Sequence, residues 1–139
     1  MLVAAILVAC SLNAEEKKAP APLVPIGDPG KGRALFEDKR CSTCHTVEGA
    51  KFPEVEQPVV DLVHLAGANN PEWTRDLYAR EIMDPQHTIS IDHQKAMVRV
   101  GDRVGEVNSP MVNFNKDLSV QDLIDITTFL EEKTKLSKR

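Results

Sequence analysis

Aromatic residues are scarce in this chain. They make up 4% of its 139 residues, with Trp73 the single tryptophan and Tyr78 the single tyrosine. Rings supply much of the bulk of a small core, so this domain has room to bury some other flat apolar body. Cysteine is also scarce, and its count of three (Cys10, Cys41, Cys44) is odd, which excludes a fully paired disulfide framework. Positive charge is not in excess: 17 Lys and Arg against 21 Asp and Glu leave a net charge of −4. That argues against a nucleic-acid binder working through a basic patch; a mixed-sign solvated surface is the plain reading of the charge, and a basic docking face on a partner is the functional one. No internal repeat is present. The uncharged apolar run Met1–Ala9 would span only ~14 Å as a helix against ~30 Å of hydrocarbon, which excludes a transmembrane anchor.

That run has the length of a signal-peptide core, although no positively charged stretch precedes it. Leu7-Val8-Ala9-Cys10 resembles the lipobox of bacterial lipoproteins. In this reading residues 1–10 are a signal and lipobox segment, and Cys10 is the lipidated mature N-terminus. Several acyl chains at ~0.8 kcal/mol per buried CH₂ give stable anchoring. The alternative is cleavage after Ala14, but Leu12-Asn13-Ala14 matches the small-x-small pattern poorly. Residues 11–27, with Glu15, Glu16, Lys17, Lys18 and then Pro20, Pro22 and Pro25, have neither helical nor strand period. They read as a Pro-rich flexible tether reaching up to ~50 Å. The folded domain is expected over residues 28–139.

Within it, Asp28-Pro29 predicts a helix cap and first position, and a helix to about Asp38 or Lys39 puts Gly32, Leu35 and Phe36 on one side. Thr46 to Ala68 reads as irregular, broken by Pro53 and Pro58. Asn70 and Pro71 predict the start of a middle helix carrying Trp73, Leu77 and Ile82 and ending before Asp84-Pro85. Alternation over residues 97–107 around Gly101-Asp102 predicts a small hairpin. The last helix has the clearest signals: a Ser119/Asp122 capping box, an apolar stripe of Val120, Leu123, Ile124, Ile126, Thr127, Phe129 and Leu130, and late lysines suited to the negative helix end.

Cys41-Ser42-Thr43-Cys44-His45 is C-x-x-C-H, the pattern of covalent c-type haem attachment. Two thiols three positions apart on a short helical turn reach the two vinyl groups on one porphyrin edge. The next residue, His45, then directs its imidazole to the iron. A zinc site needs a second Cys pair, which is missing. A thioredoxin-like pair needs a βαβ context, also missing. A local disulfide leaves His45 without a role.

With these residues the chain resembles the small class I cytochromes c, from residue 28 to 135. The matching features are Gly32 and Phe36 ahead of the haem motif and Phe129, with Ile126 and Leu130 beside it, on the last helix. The resemblance implies an all-α small cytochrome c fold: crossing N- and C-terminal helices, a middle helix, extended loops and a small hairpin around one covalent haem c. It implies that a proline carbonyl, best matched by Pro58, accepts a hydrogen bond from the axial histidine, although Gln57-Pro58 stands where the family usually has Gly-Pro. It also implies Trp73 as donor to a haem propionate, with Arg75 and Arg80 as further propionate partners. Plain packing for Trp73 and plain solvation for the arginines are the competing readings.

For the sixth ligand the resemblance favours Met111, on the loop Asn108-Ser109-Pro110-Met111 before the last helix, although many relatives have Met-Pro there. Met97 is the runner-up. Met83 falls at helical spacing and is expected in the core. A bis-histidine site through His64, His87 or His93 is the other alternative. Met/His ligation raises the reduction potential and fills both axial positions, which suits an electron carrier and not an enzyme.

The expected function is a single-electron carrier, periplasmic or on the outer surface of a bacterial membrane. It would be lipid-anchored and exchange electrons with redox proteins such as a membrane oxidoreductase or a terminal reductase or oxidase. The alternative is a haem subunit bound permanently in a larger oxidoreductase complex. A sensor with a displaceable sixth ligand is the third possibility.

Overall fold

A computed structural model describes residues 21–54, 63–66, 72–87 and 108–137. Three helices make up most of these. Helix α1, Pro29–Asp38, starts as its sequence predicts: Asp28 Oδ1 accepts from the backbone N–H groups of Gly30 at 2.8 Å and Lys31 at 3.1 Å, with Pro29 in the first position. Helix α3, Val120–Leu136, opens with the reciprocal Ser119/Asp122 box, at 2.9 and 3.1 Å. Its buried face begins later than the apolar stripe. Val120 is 76% exposed, because the first turn projects past the crossing with α1.

Helix α2, Arg75–Met83, starts later than the Asn70-Pro71 signal. Its cap is Thr74, which accepts from the Leu77 N–H at 3.5 Å; Asn70 and Pro71 lie outside the described residues. Trp73 therefore precedes the helix. The face α2 buries is Arg75, Tyr78 and Ala79, an i, i+3, i+4 set, rather than Leu77 and Ile82, which are half-buried. Met83, at the last helical position, is 38% exposed and not a core residue.

Helices α1 and α3 cross closely at Gly32. A Cβ there would stand 2.5 Å from the Asp125 carbonyl carbon and 3.0 Å from the Ile126 nitrogen. Only glycine lets the two backbones meet at this distance. One turn along, Phe36 packs against Phe129 at 5.9 Å between ring centroids, and Phe52 closes the group at 5.1 Å from Phe36. Ile126, Leu130, Tyr78, Val47 and Ala66 complete the buried cluster.

Residues 23–27, which composition assigns to a flexible tether, are held on the domain. Asp76 accepts from the Leu23 and Val24 N–H groups at 2.9 and 2.7 Å. The Gly27 N–H donates to Thr128 Oγ1 at 2.8 Å, and the Asp28 N–H to Asp125 Oδ1 at 2.9 Å. Arg75 locks the arrangement: its Nε donates to the Val24 carbonyl at 3.0 Å, while Nη1 meets the buried Glu131 carboxylate at 2.5 Å. Lys135 reaches the same carboxylate from one helical turn later, at 2.8 Å. Tyr78 ties α2 to α3 by donating to Thr134 Oγ1 at 2.8 Å, and Thr134 in turn donates to the Leu130 carbonyl.

The stretch read as irregular contains a short parallel ladder. Strand β1, His45–Val47, pairs with β2, Val63–Leu65, in the register His45↔Val63, Thr46↔His64 and Val47↔Leu65. Three-residue strands with mixed burial leave too little alternation to be read from sequence. The hairpin expected over residues 97–107 lies outside the described residues.

Candidate functional site

The C-x-x-C-H motif starts where α1 stops. Lys39 and Arg40 donate their backbone N–H groups to Leu35 and Glu37, and Arg40 then turns left-handed at φ 58°. This is the position that usually holds glycine in a helix-terminating turn, and an L-residue costs about 1 kcal/mol there. The reversal sends the chain straight into a 3-10 turn, Cys41–Thr43. Thr43 pins that turn with its N–H at 3.1 Å and its hydroxyl at 2.8 Å, both donated to the Arg40 carbonyl. Cys41 and Cys44 stand at either end of the turn as half-buried free thiols. Burial pushes the Cys41 thiol up to about 11, with the neighbouring Cys44 adding to the rise and a backbone hydrogen bond opposing it.

His45 enters β1 directly. The Val63 N–H donates to the Cys44 carbonyl at 2.9 Å, so the ladder fixes the peptide that carries the imidazole. Burial pushes the His45 imidazole below the ordinary histidine range, opposed in part by the Val63 backbone. Its Nδ1 is buried with no hydrogen-bond partner among the described residues. An imidazole nitrogen buried without a partner is costly in a closed core. It is what an axial iron ligand requires, since the neutral ring keeps a lone pair for the metal while the other nitrogen seeks an acceptor. Pro58, the acceptor implied by family resemblance, lies outside the described residues. Two free thiols on one turn, a neutral imidazole next to them and an aromatic-poor core fit a covalently held haem.

The other candidates separate clearly. Met111 is half-buried on the loop leading to α3, with its N–H on Ser109 Oγ at 3.2 Å. Gln86, just after α2, grips that loop from the side. Its Oε1 accepts from the Ser109 N–H at 3.0 Å and its Nε2 donates to the Ser109 carbonyl at 3.3 Å. Nothing in the sequence signals this contact, because one partner is backbone 23 positions away. His64 sits opposite Thr46 in the ladder and bonds Thr46 Oγ1 through Nδ1. Side chains alternate along a strand, so Thr46 and His64 share one face and His45 takes the other; His64 is therefore turned away from the His45 side. His87 is exposed. Met97, His93 and Cys10 lie outside the described residues.

Trp73 is half-buried with its ring 5.1 Å from that of Tyr78. Arg75 is engaged by the buried Glu131 carboxylate and the Val24 carbonyl, an ion pair that ties α2 to α3. Arg80 is exposed and meets the neighbouring Glu81 at 3.2 Å.

Residues 30–133 match the family model described as Cytochrome c. No curated protein sequence matches the chain.

Proposed function

The chain belongs to the cytochrome c family and carries one covalently attached class I haem c, and from that premise we propose that it is an extracytoplasmic single-electron carrier with His45 and Met111 as axial ligands. The haem, once bound, supplies reversible one-electron iron chemistry. Everything else falls to the chain. Cys41 and Cys44 hold the group by thioethers, so that it stays in place through redox cycling. His45, kept neutral by burial, ligates from β1. Met111 ligates from the loop before α3, and a thioether there favours the reduced state.

The observation that carries this reading is the conjunction of a buried imidazole Nδ1 that has no hydrogen-bond partner among the described residues with two free thiols on the preceding turn. Cytochrome c domains are typically extracytoplasmic, and no helix among the described residues is long and apolar enough to cross a membrane. A lipidated Cys10 would supply attachment on the periplasmic or outer side of a bacterial membrane. With residues 23–27 held on the domain, a tether from Cys10 would have residues 11–22 left to it, or about 37 Å if fully extended. Redox proteins with a basic docking face are the partners its charge suits.

The test is a redox-titrated visible spectrum of the purified holoprotein. A one-electron transition, low spin in both states, no carbon monoxide adduct and loss of the ferric thioether band in Met111→Ala are expected. A spectrum unchanged by Met111→Ala would remove that ligand, and ready carbon monoxide binding would replace the carrier with a ligand-binding protein. Elution in native extract as part of a large complex would make it a bound subunit instead of a shuttle.

A further inference from the structure

We propose that Gln86 is a positioning residue for the sixth iron ligand: its side-chain amide clamps Ser109, two residues before Met111, and holds the loop in ligating geometry. This rests on Met111 being that ligand. The amide engages both backbone groups of Ser109, N–H to Oε1 at 3.0 Å and carbonyl from Nε2 at 3.3 Å. A planar amide doing this replaces the partner strand that a loop residue lacks, and fixes the peptide in orientation as well as position. Ser109 passes the constraint on, because its hydroxyl accepts the Met111 N–H at 3.2 Å. Pro110 between them has its φ restricted by its ring.

The other end of the clamp is firmly based. Gln86 lies in the turn that closes α2, where the His87 N–H donates to the Asp84 carbonyl at 2.9 Å and Asp84 caps the helix through Arg80. Pro85, beside it, is buried. Helix α2 in turn is fastened to α3 through Arg75–Glu131 and Tyr78–Thr134. Gln86 thus connects the loop carrying Met111 to the rigid helical frame. A thioether is a weak, neutral ligand, and its retention depends on the loop not swinging away.

The experiment measures imidazole binding to the ferric holoprotein, which requires the native sixth ligand to leave. The proteins compared are wild type, Gln86→Ala, Gln86→Glu and Met111→Ala. Losing both hydrogen bonds in Gln86→Ala is expected to raise imidazole affinity about tenfold. The ferric thioether band should weaken, and the Ser109 amide should exchange faster with solvent. The helical circular dichroism should be unchanged. Gln86→Glu at neutral pH keeps the acceptor for the Ser109 N–H but not the donor, and should fall between. In a Met111→Ala background, Gln86→Ala should add nothing. Imidazole affinity unchanged in Gln86→Ala but strongly raised in Met111→Ala would overturn the clamp while leaving the ligand in place. No change in Met111→Ala would overturn both.

Discussion

Replacing Gly32 with alanine sets two effects of opposite sign against each other. Inside a helix, alanine is favoured over glycine by about 0.8–1.0 kcal/mol. At this position, however, the new methyl would lie 2.5 Å from the Asp125 carbonyl carbon and 3.0 Å from the Ile126 nitrogen. Ordinary carbon contacts are about 3.5–4.0 Å, so α1 would have to lift off α3 by about 1 Å. The opposing atoms are helix backbone and cannot rotate aside. A gap of that size forfeits a quarter to a half of each dispersion contact along the seam that includes Phe36, Ile126 and Phe129. Overpacking costs about 1–3 kcal/mol, and the upper end applies here. The net is destabilisation of about 2 kcal/mol, or a Tm lower by roughly 8–16 °C. Gly30 is the control: a methyl there would meet only Asp28 Oδ1, at 3.2 Å, so Gly30→Ala should be neutral or stabilising by up to about 1 kcal/mol. Guanidinium unfolding of the holoprotein, followed by helical circular dichroism, reads both. A Gly32→Ala protein as stable as wild type, or a Gly30→Ala protein equally damaged, would refute the close crossing.

Other outcomes follow from the same geometry. Arg75→Met leaves the Glu131 carboxylate buried with only the exposed Lys135 as partner. It should cost about 3–5 kcal/mol in denaturant unfolding, most of it recovered in the Arg75→Met/Glu131→Leu pair; a cost below about 1 kcal/mol would show that the pair is not desolvated. Ser119→Ala should cost about 1 kcal/mol. The Ser119 backbone N–H, and then its hydroxyl, hold the Asp122 carboxyl below the usual carboxylate range. A depressed carboxyl stabilises the fold above its unfolded value of about 3.9, and that contribution is lost as pH falls through the lower folded value. The difference between wild type and Asp122→Ala should therefore be present at neutral pH and vanish in acid; a difference that persists would assign the effect elsewhere. Cys10→Ala should move the protein from the membrane fraction to the soluble one, and a wild-type protein found only in the soluble fraction would end the lipid-anchor reading.

The haem motif, the start of α1 and the capping box of α3 are each carried by residues within a few positions of one another, so they are legible from the chain alone. Helical period puts Phe36 and Phe129 on apolar stripes, and the family resemblance is what pairs them across Gly32. Helix α2 starts later than Asn70-Pro71 predicts, because the Arg75 and Tyr78 contacts that fix it are made to α3, 56 residues later. For the same reason no local pattern ties Arg75 to Glu131 or residues 23–27 to Asp76 and Thr128: composition describes a segment's own preferences and not the side chains that await it. Tertiary packing alone takes the His45 Nδ1 out of solvent, turns His64 from its side, and sets Gln86 against Ser109. Such facts depend on burial and on pairing between distant segments, which no local pattern of residues encodes.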